Sequence, residues 1–318
     1  MQPTIELKSE LEGIIKLEII KEDGTLKKAE GLNVPFKNLI TDAGLNYVGG
    51  NDLITDCISY CRVGTSSTPP TIADTTLSAQ TGSASPSGTK TDSVQYTTEP
   101  YYSNHQVVYT FAVGTVSGNL TEIGFFSANS GGTMWSRALI KDSGGNPTTL
   151  TLLATEQLIV TYTVRRYIPT SLTGSFTLNT NGVNSTINYT ITPANITNPW
   201  TVWQAGRCST SSSTYLYAYE TNTLGVVTDY PSGSPSALLS LTTGSYTSGS
   251  FQRDFTITIP TSTANFTTGV GSLLFWHHND ANISTYGYQC SFSPKIMKTS
   301  SQTLAIGIRL SWGRTTQQ

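Results

Sequence analysis

Alternation is the feature that most constrains this chain. In Leu158-Ile159-Val160-Thr161-Tyr162-Thr163-Val164, and again in Leu304-Ala305-Ile306-Gly307-Ile308-Arg309-Leu310, large apolar side chains fall at every second position. A period of two puts those side chains on one face of an extended strand, and a helix cannot keep such a set on one side. Further strands are expected at 107–113, 119–126, 136–140, 174–178, 186–191, 215–219, 255–259 and 272–276. Turn signals such as Ser130-Gly131-Gly132 and Asp142-Ser143-Gly144-Gly145-Asn146-Pro147 separate them. Short strands at such intervals predict an all-β chain of two tandem β-sandwich domains, immunoglobulin-like or jelly-roll-like. The domain boundary is expected at Pro169-Thr170-Ser171, giving domains 1–168 and 169–318.

Charge supports the strand reading. Asp, Glu, Lys and Arg make up 12 % of the residues, about half the usual share. With 16 Tyr, 10 Phe and 5 Trp the chain is too aromatic for a disordered one. No basic run exists to neutralise phosphates, so direct nucleic-acid binding is not expected. No apolar stretch approaches the roughly 20 residues that span a bilayer as helix, and Met1–Leu17 lacks the apolar core of a signal peptide.

The first thirty residues hold much of the charge. From Gly13 to Lys28 the sequence reads as a hairpin around Asp23-Gly24, with Ile15, Leu17 and Ile19 on one face and charged residues on the other. Such a hairpin is either an ordinary solvated one or an arm that docks on another protein, and its terminal position favours docking. A short helix is expected next. Thr41 or Asp42 caps it, Ala43, Leu45 and Val48 are its apolar residues, and Gly49-Gly50 ends it. Ile15, Leu17, Ile19, Phe36 and Leu39 are the candidate assembly contacts. From Gly64 to Thr98 the composition is that of a long surface loop with one edge strand.

The halves look related. Arg62, Thr65, Ser66 and Ser67 match Arg207, Thr210, Ser211 and Ser212 at an offset of 145, and Val160–Arg165 matches Leu304–Arg309 at 144. A near-constant offset at two separated places favours duplication of one β-domain.

Four segments carry a family resemblance. They are Phe36-Lys37-Asn38-Leu39-Ile40-Thr41-Asp42-Ala43-Gly44-Leu45-Asn46; Val63-Gly64-Thr65-Ser66-Ser67-Thr68-Pro69-Pro70 with Asp74-Thr75-Thr76-Leu77; Gly118–Phe125; and Ser136–Ile140. Together with the charged opening, residues 10–168 resemble virion proteins of tailed bacteriophages: minor tail, tail-fibre, collar or head-decoration proteins. The resemblance implies a particle component assembled in the host cytoplasm in several copies, as a trimer or ring. Its partners would be portal or neck, tail or capsid proteins. A head-decoration protein, or an adhesin that holds host surface glycan in the second half, is the alternative. The resemblance supplies no catalytic residue and no cofactor, and the chain is not expected to be an enzyme.

Site chemistry is sparse. Trp276-His277-His278-Asn279-Asp280 is the most metal-like stretch, yet adjacent histidines point to opposite faces of a strand. No Gly-x-Ser-x-Gly elbow opens a helix. The second half has only Glu220, Asp229, Asp254 and Asp280 for the carboxylate pair that glycoside hydrolysis needs. Cys57 and Cys61 would lie roughly 13 Å apart in one strand, too far for a disulfide, and with Cys208 and Cys290 they read as buried thiols. Aromatics are the better candidates. Tyr215, Tyr217 and Tyr219 share a face, with Trp203 before them. They form either core or an exposed row for a subunit interface or a sugar. Leu216 and Ala218 are small, which suggests that the tyrosines face inward.

Overall fold

The alternating segments are strands, and they dominate: 53 % of the chain is strand and 4 % helix. The computed structural model describes residues 3–27, 34–50, 53–180, 182–197, 216–236, 239–276 and 287–315. In chain order the first half holds β1 (Thr4–Ile20), β2 (Phe36–Lys37), β3 (Leu39–Ile40), α1 (Asp42–Tyr47), α2 (Ile54–Cys57), β4 (Tyr60–Gly64), β5 (Gln80–Ala84) and β6 (Thr91–Gln95). It continues with β7 (Tyr102–Phe111), β8 (Gly118–Leu120), β9 (Glu122–Phe126), β10 (Met134–Leu139), β11 (Leu150–Leu152) and β12 (Gln157–Tyr167). The second half holds β13 (Leu172–Thr180), β14 (Val183–Ala194), β15 (Leu216–Tyr219), β16 (Pro235–Ser236) and β17 (Ser240–Thr243). It ends with β18 (Gln252–Ile259), β19 (Val270–Trp276), β20 (Gly287–Ile296) and β21 (Leu304–Arg314).

Three larger sheets result. One has eight strands in the order β17-β18-β21-β1-β12-β7-β6, with β2 beside β1. A five-stranded sheet, β3-β10-β9-β4-β5, belongs to the first half, and a six-stranded sheet, β13-β14-β20-β19-β15-β16, to the second. One hydrophobic core takes residues from all three. In the first half Phe125 of β9 stacks on Tyr162 of β12, with ring centroids 3.6 Å apart.

The boundary at Pro169 falls between β12 and β13, but the halves are not separate bodies. β1 lies between the two closing strands, antiparallel to β12 from Glu10 to Ile20 and parallel to β21 from Thr4 to Leu11. The expected hairpin is a stub. Its turn is closed by Gly24 N–H donating to Lys21 O at 2.9 Å, and among the described residues only Ile20 and Leu26 form a bridge across it. Farther along β1 the place of a return strand is taken by β2, which pairs with Ile14 and Ile15.

Strand order repeats between the halves. Mapping β3, β4, β5, β6, β7, β9, β10 and β12 onto β14 to β21 preserves chain order, neighbours and antiparallel direction in every pair. Each of the equivalent pairs β9–β10 and β19–β20 has one register irregularity, but at opposite ends: at the start of β10, between Met134 and Ser136, and at the start of β19, between Val270 and Ser272. The two closing strands matched in sequence are equivalent here, although the pairs Leu158↔Phe111 and Leu304↔Ile259 put the offset at 146 rather than 144. The other sequence match reaches residues 207–212, which lie outside the described residues.

Candidate functional site

The four segments that carry the resemblance meet in space. Glu122 and Arg137 stand out in the sequence as charges inside apolar strands, and both are buried. Charged residues are rarely buried unless paired, and here they pair. Arg137 Nε donates to Glu122 Oε2 at 3.0 Å, and its two terminal nitrogens reach Asp74 Oδ2 at 2.7 Å and Thr68 O at 2.8 Å. Glu122 also accepts from Ala79 N–H at 2.8 Å. One guanidinium therefore ties β9, β10 and the Thr68–Ala79 segment together. Burial pushes the Asp74 carboxyl up, but hydrogen bonds from Thr71 and Arg137 outweigh it and hold Asp74 below its ordinary value.

The Phe36–Asn46 segment joins the same unit. Thr41 caps α1 by accepting from Gly44 N–H at 3.0 Å, and its hydroxyl donates to Met134 O at 2.6 Å. Below it a buried polar cluster forms around Tyr162, whose hydroxyl accepts from Trp135 Nε1 at 2.8 Å and Asn38 Nδ2 at 3.1 Å. Burial pushes the Tyr162 phenol up to about 12, against the lowering effect of Ser136, Asn38 and Trp135. Gly13 of β1 sits against this cluster. A Cβ there would overlap the Asn38 side chain and the Tyr162 hydroxyl, which is why the apolar set of β1 skips from Leu11 to Ile15.

The candidate assembly contacts are placed differently from expectation. Ile15, Leu17, Ile19 and Phe36 are all buried in the chain's own core. The apolar face read as a docking surface is covered by the protein itself, because β1 is a central strand. Leu39 is half-buried and lines a groove of about 340 Å³ with Pro69, Pro70, Leu139 and Pro147, flanked by Lys37 and Lys141. Helix α1 is clasped by the far end of the chain. Trp312 Nε1 donates to Leu45 O at 2.9 Å, Tyr246 Oη to Asn46 Oδ1 at 2.7 Å, and Arg314 pairs with Asp42.

The tyrosine row divides. Trp203 and Tyr215 lie outside the described residues. Leu216 and Ala218 face the main core, while Tyr217 and Tyr219 lie on the opposite face, with Ala194 and Leu274. Tyr219 thus faces inward as expected, buried in a second, smaller core, and Tyr217 is half-buried against it. The small residues suffice on the main-core side because Phe275 and Tyr288 fill it. The other face is roofed by the segment after β15. Gln289 holds it by accepting from Gly225 N–H and donating to Gly225 O, both at 2.8 Å, and Tyr230 packs on Trp276 with centroids 5.9 Å apart. Burial pushes the Tyr219 phenol up to about 12, assisted by its neighbours Tyr217 and Tyr230.

His105 Nδ1 lies 2.7 Å from Asp92 Oδ1 in the first half, and His277, His278 and Asp280 lie outside the described residues. Among the described residues no group of three or more His, Cys, Asp or Glu is placed to hold a metal. Cys57, Cys61 and Cys290 are buried, and burial pushes the Cys61 and Cys290 thiols up. Cys57 ends α2, a second helix that the sequence did not announce, and Cys61 lies in β4, so the two do not share a strand. Among the described residues no helix is long and apolar enough to cross a membrane.

No family model, curated protein or solved structure matches the chain.

Proposed function

We propose that this chain is a non-enzymatic structural component of a tailed-phage particle, a collar, tail-fibre or tail-adaptor protein present in several copies. The observation that supports the reading best is the convergence of the four phage-like segments on one buried network. Arg137, Glu122, Asp74 and the Thr68 carbonyl come from three of the segments, and Thr41 of the fourth bonds beside them. The features that carry the resemblance thus build a rigid unit, which is what a load-carrying component needs. Surface contacts would fall on what the core leaves open, namely strand edges and the groove at Leu39. Mass spectrometry of purified particles, followed by cryo-electron microscopy, tests the reading. The chain is expected in the particle as a repeated density. Its absence from particles, or turnover of a substrate by the purified chain, contradicts it.

A second reading has its own observation. Tyr230 is 38 % exposed and packs on the buried Trp276, so one aromatic ring is open to a ligand such as a sugar. On that reading the second half also holds host glycan. Binding to host-cell polysaccharide that Tyr230→Ala abolishes, with the fold intact, supports it.

A further inference from the structure

We propose that the free edge of β13 is an interface between two copies of this chain, paired antiparallel about a two-fold axis near Phe176. The proposal gives the multi-copy reading above a surface, and rests on that reading only for its biological purpose.

Among the described residues β13 is the edge of the six-stranded sheet, and alternate residues of it turn their backbone N–H and C=O away from β14. At nine residues it is by far the longest edge among the described residues. β5 and β6 have five residues, β17 four, and β3 and β16 two. Proteins blunt long edges with Lys, Pro or a bulge. β6 carries Asp92 and β16 begins with Pro235, but β13 has no such device. From Tyr167 to Gly206 there is no charged residue and no histidine, a run of forty positions, and the β13–β14 register runs unbroken from Leu172↔Ile191 to Thr180↔Val183.

The strand complements itself. Thr173, Ser175, Thr177 and Asn179 are exposed on one face, and Gly174, Phe176 and Leu178 are half-buried on the other. A two-fold axis at Phe176 sets Ser175 opposite Thr177 of the second copy, a favourable hydroxyl pair. It sets Gly174 opposite Leu178, small against large, and Phe176 beside Phe176. Phe176 already packs on Tyr189 and Phe292, so the second copy extends an aromatic row that exists. The absence of charge favours this occupant. A strand pairing with itself opposes like with like, which costs stability wherever charges meet, and here none do.

The repeat explains why this edge is bare. β13 precedes the eight repeating strands in the second half, as β1 and β2 precede them in the first. β1 itself takes the place beside β21, and β13 is left at the rim of the other sheet.

Sedimentation velocity of the full chain over a concentration series tests the proposal. The wild type is expected to dimerise reversibly. S175K/T177K sets lysines against lysines at both pairs and should raise the dissociation constant about tenfold or more. S175E/T177E should do the same, and mixing the two variants should restore a heterodimer. Both positions are exposed, so the melting temperature of the monomer should not change. Hydrogen exchange gives a second measure: the β13 amides should gain protection as concentration rises. A wild type that stays monomeric overturns the proposal, including the case in which another particle protein occupies this edge. Variants that associate like the wild type, or a mixture that fails to pair, overturn it too. None of these results depends on whether the chain is found in particles.

Discussion

Removing Arg137 should be among the most damaging single changes to this protein. Its side chain is 1 % exposed and that of Glu122 is not exposed at all, so Arg137→Met leaves a carboxylate in the core with only backbone amides for partners. Breaking a buried pair from one side costs about 3–5 kcal/mol, because the remaining charge is stranded. That is a large part of a total stability of about 5–15 kcal/mol. Glu122→Met is the milder change. Arg137 keeps Asp74 and the Thr68 carbonyl, and Asp74 retains contact with water at 19 % exposure. The double variant R137M/E122M strands neither member of the pair, so it should lose clearly less than the sum of the singles. Urea denaturation followed by tryptophan fluorescence reads this well, since Trp135 is buried two residues away. With slopes of about 1–3 kcal/mol per molar urea, R137M should lower the midpoint by more than about 1 M. A loss under about 1 kcal/mol for R137M, or strict additivity in the double variant, would refute the claim that this pair organises the unit.

Three further outcomes follow from the same geometry. Tyr162→Phe leaves the buried Trp135 N–H without its acceptor and the Asn38 amide with only Ser136 Oγ, and should cost about 1–3 kcal/mol; no change in urea midpoint would count against the cluster. Asp74 has a lowered folded pKa, so its stabilising contribution is complete above its ordinary value of 3.8 and is lost as pH falls below it. The gap in melting temperature between wild type and Asp74→Asn should therefore be wide at neutral pH and narrow below about pH 4, and a constant gap would exclude the linkage. Cutting the chain at Pro169 should yield no stable half, because the cut removes the parallel β1–β21 pairing from both. A cooperative thermal transition in purified 169–318 would show otherwise.

Much of the fold is legible in the sequence wherever one face of a strand is buried. β12 and β21 announce themselves through strict alternation, and the helix at Asp42–Tyr47 through Thr41 and the glycines after it. Legibility fails for strands without that signal. β5 (Gln-Thr-Gly-Ser-Ala) and β6 (Thr-Asp-Ser-Val-Gln) are edge strands of polar residues, and the stretch that holds both reads as a long loop with one edge strand. β1 fails for another reason. Its pattern is clear, but a period of two shows only that a face is buried, not whether the cover is the chain's own core or a partner. Its role as a central strand depends on β21, some three hundred residues away, and no local signal carries that. The Arg137 network was half visible: Glu122 and Arg137 are conspicuous as charges among apolar neighbours, yet their pairing needs the register Arg137↔Gly124 that sets them diagonally on one face.

The shared sheet and the repeated strand order bear on each other. A repeated β-domain can be joined to its copy by a flexible linker, and the copies then move independently. Here the two are fused through a strand that belongs to the first, and α1 is held by Trp312, Tyr246 and Arg314 of the second. Any force or contact applied at one half is therefore transmitted through β1 backbone hydrogen bonds and a packed helix rather than through a tether. Such a joint couples the two halves while leaving β13 as an open edge of the six-stranded sheet. A rigid body with one long uncharged edge is suited to being placed in register with another of its kind, and this is the physical content of reading the chain as an assembly component.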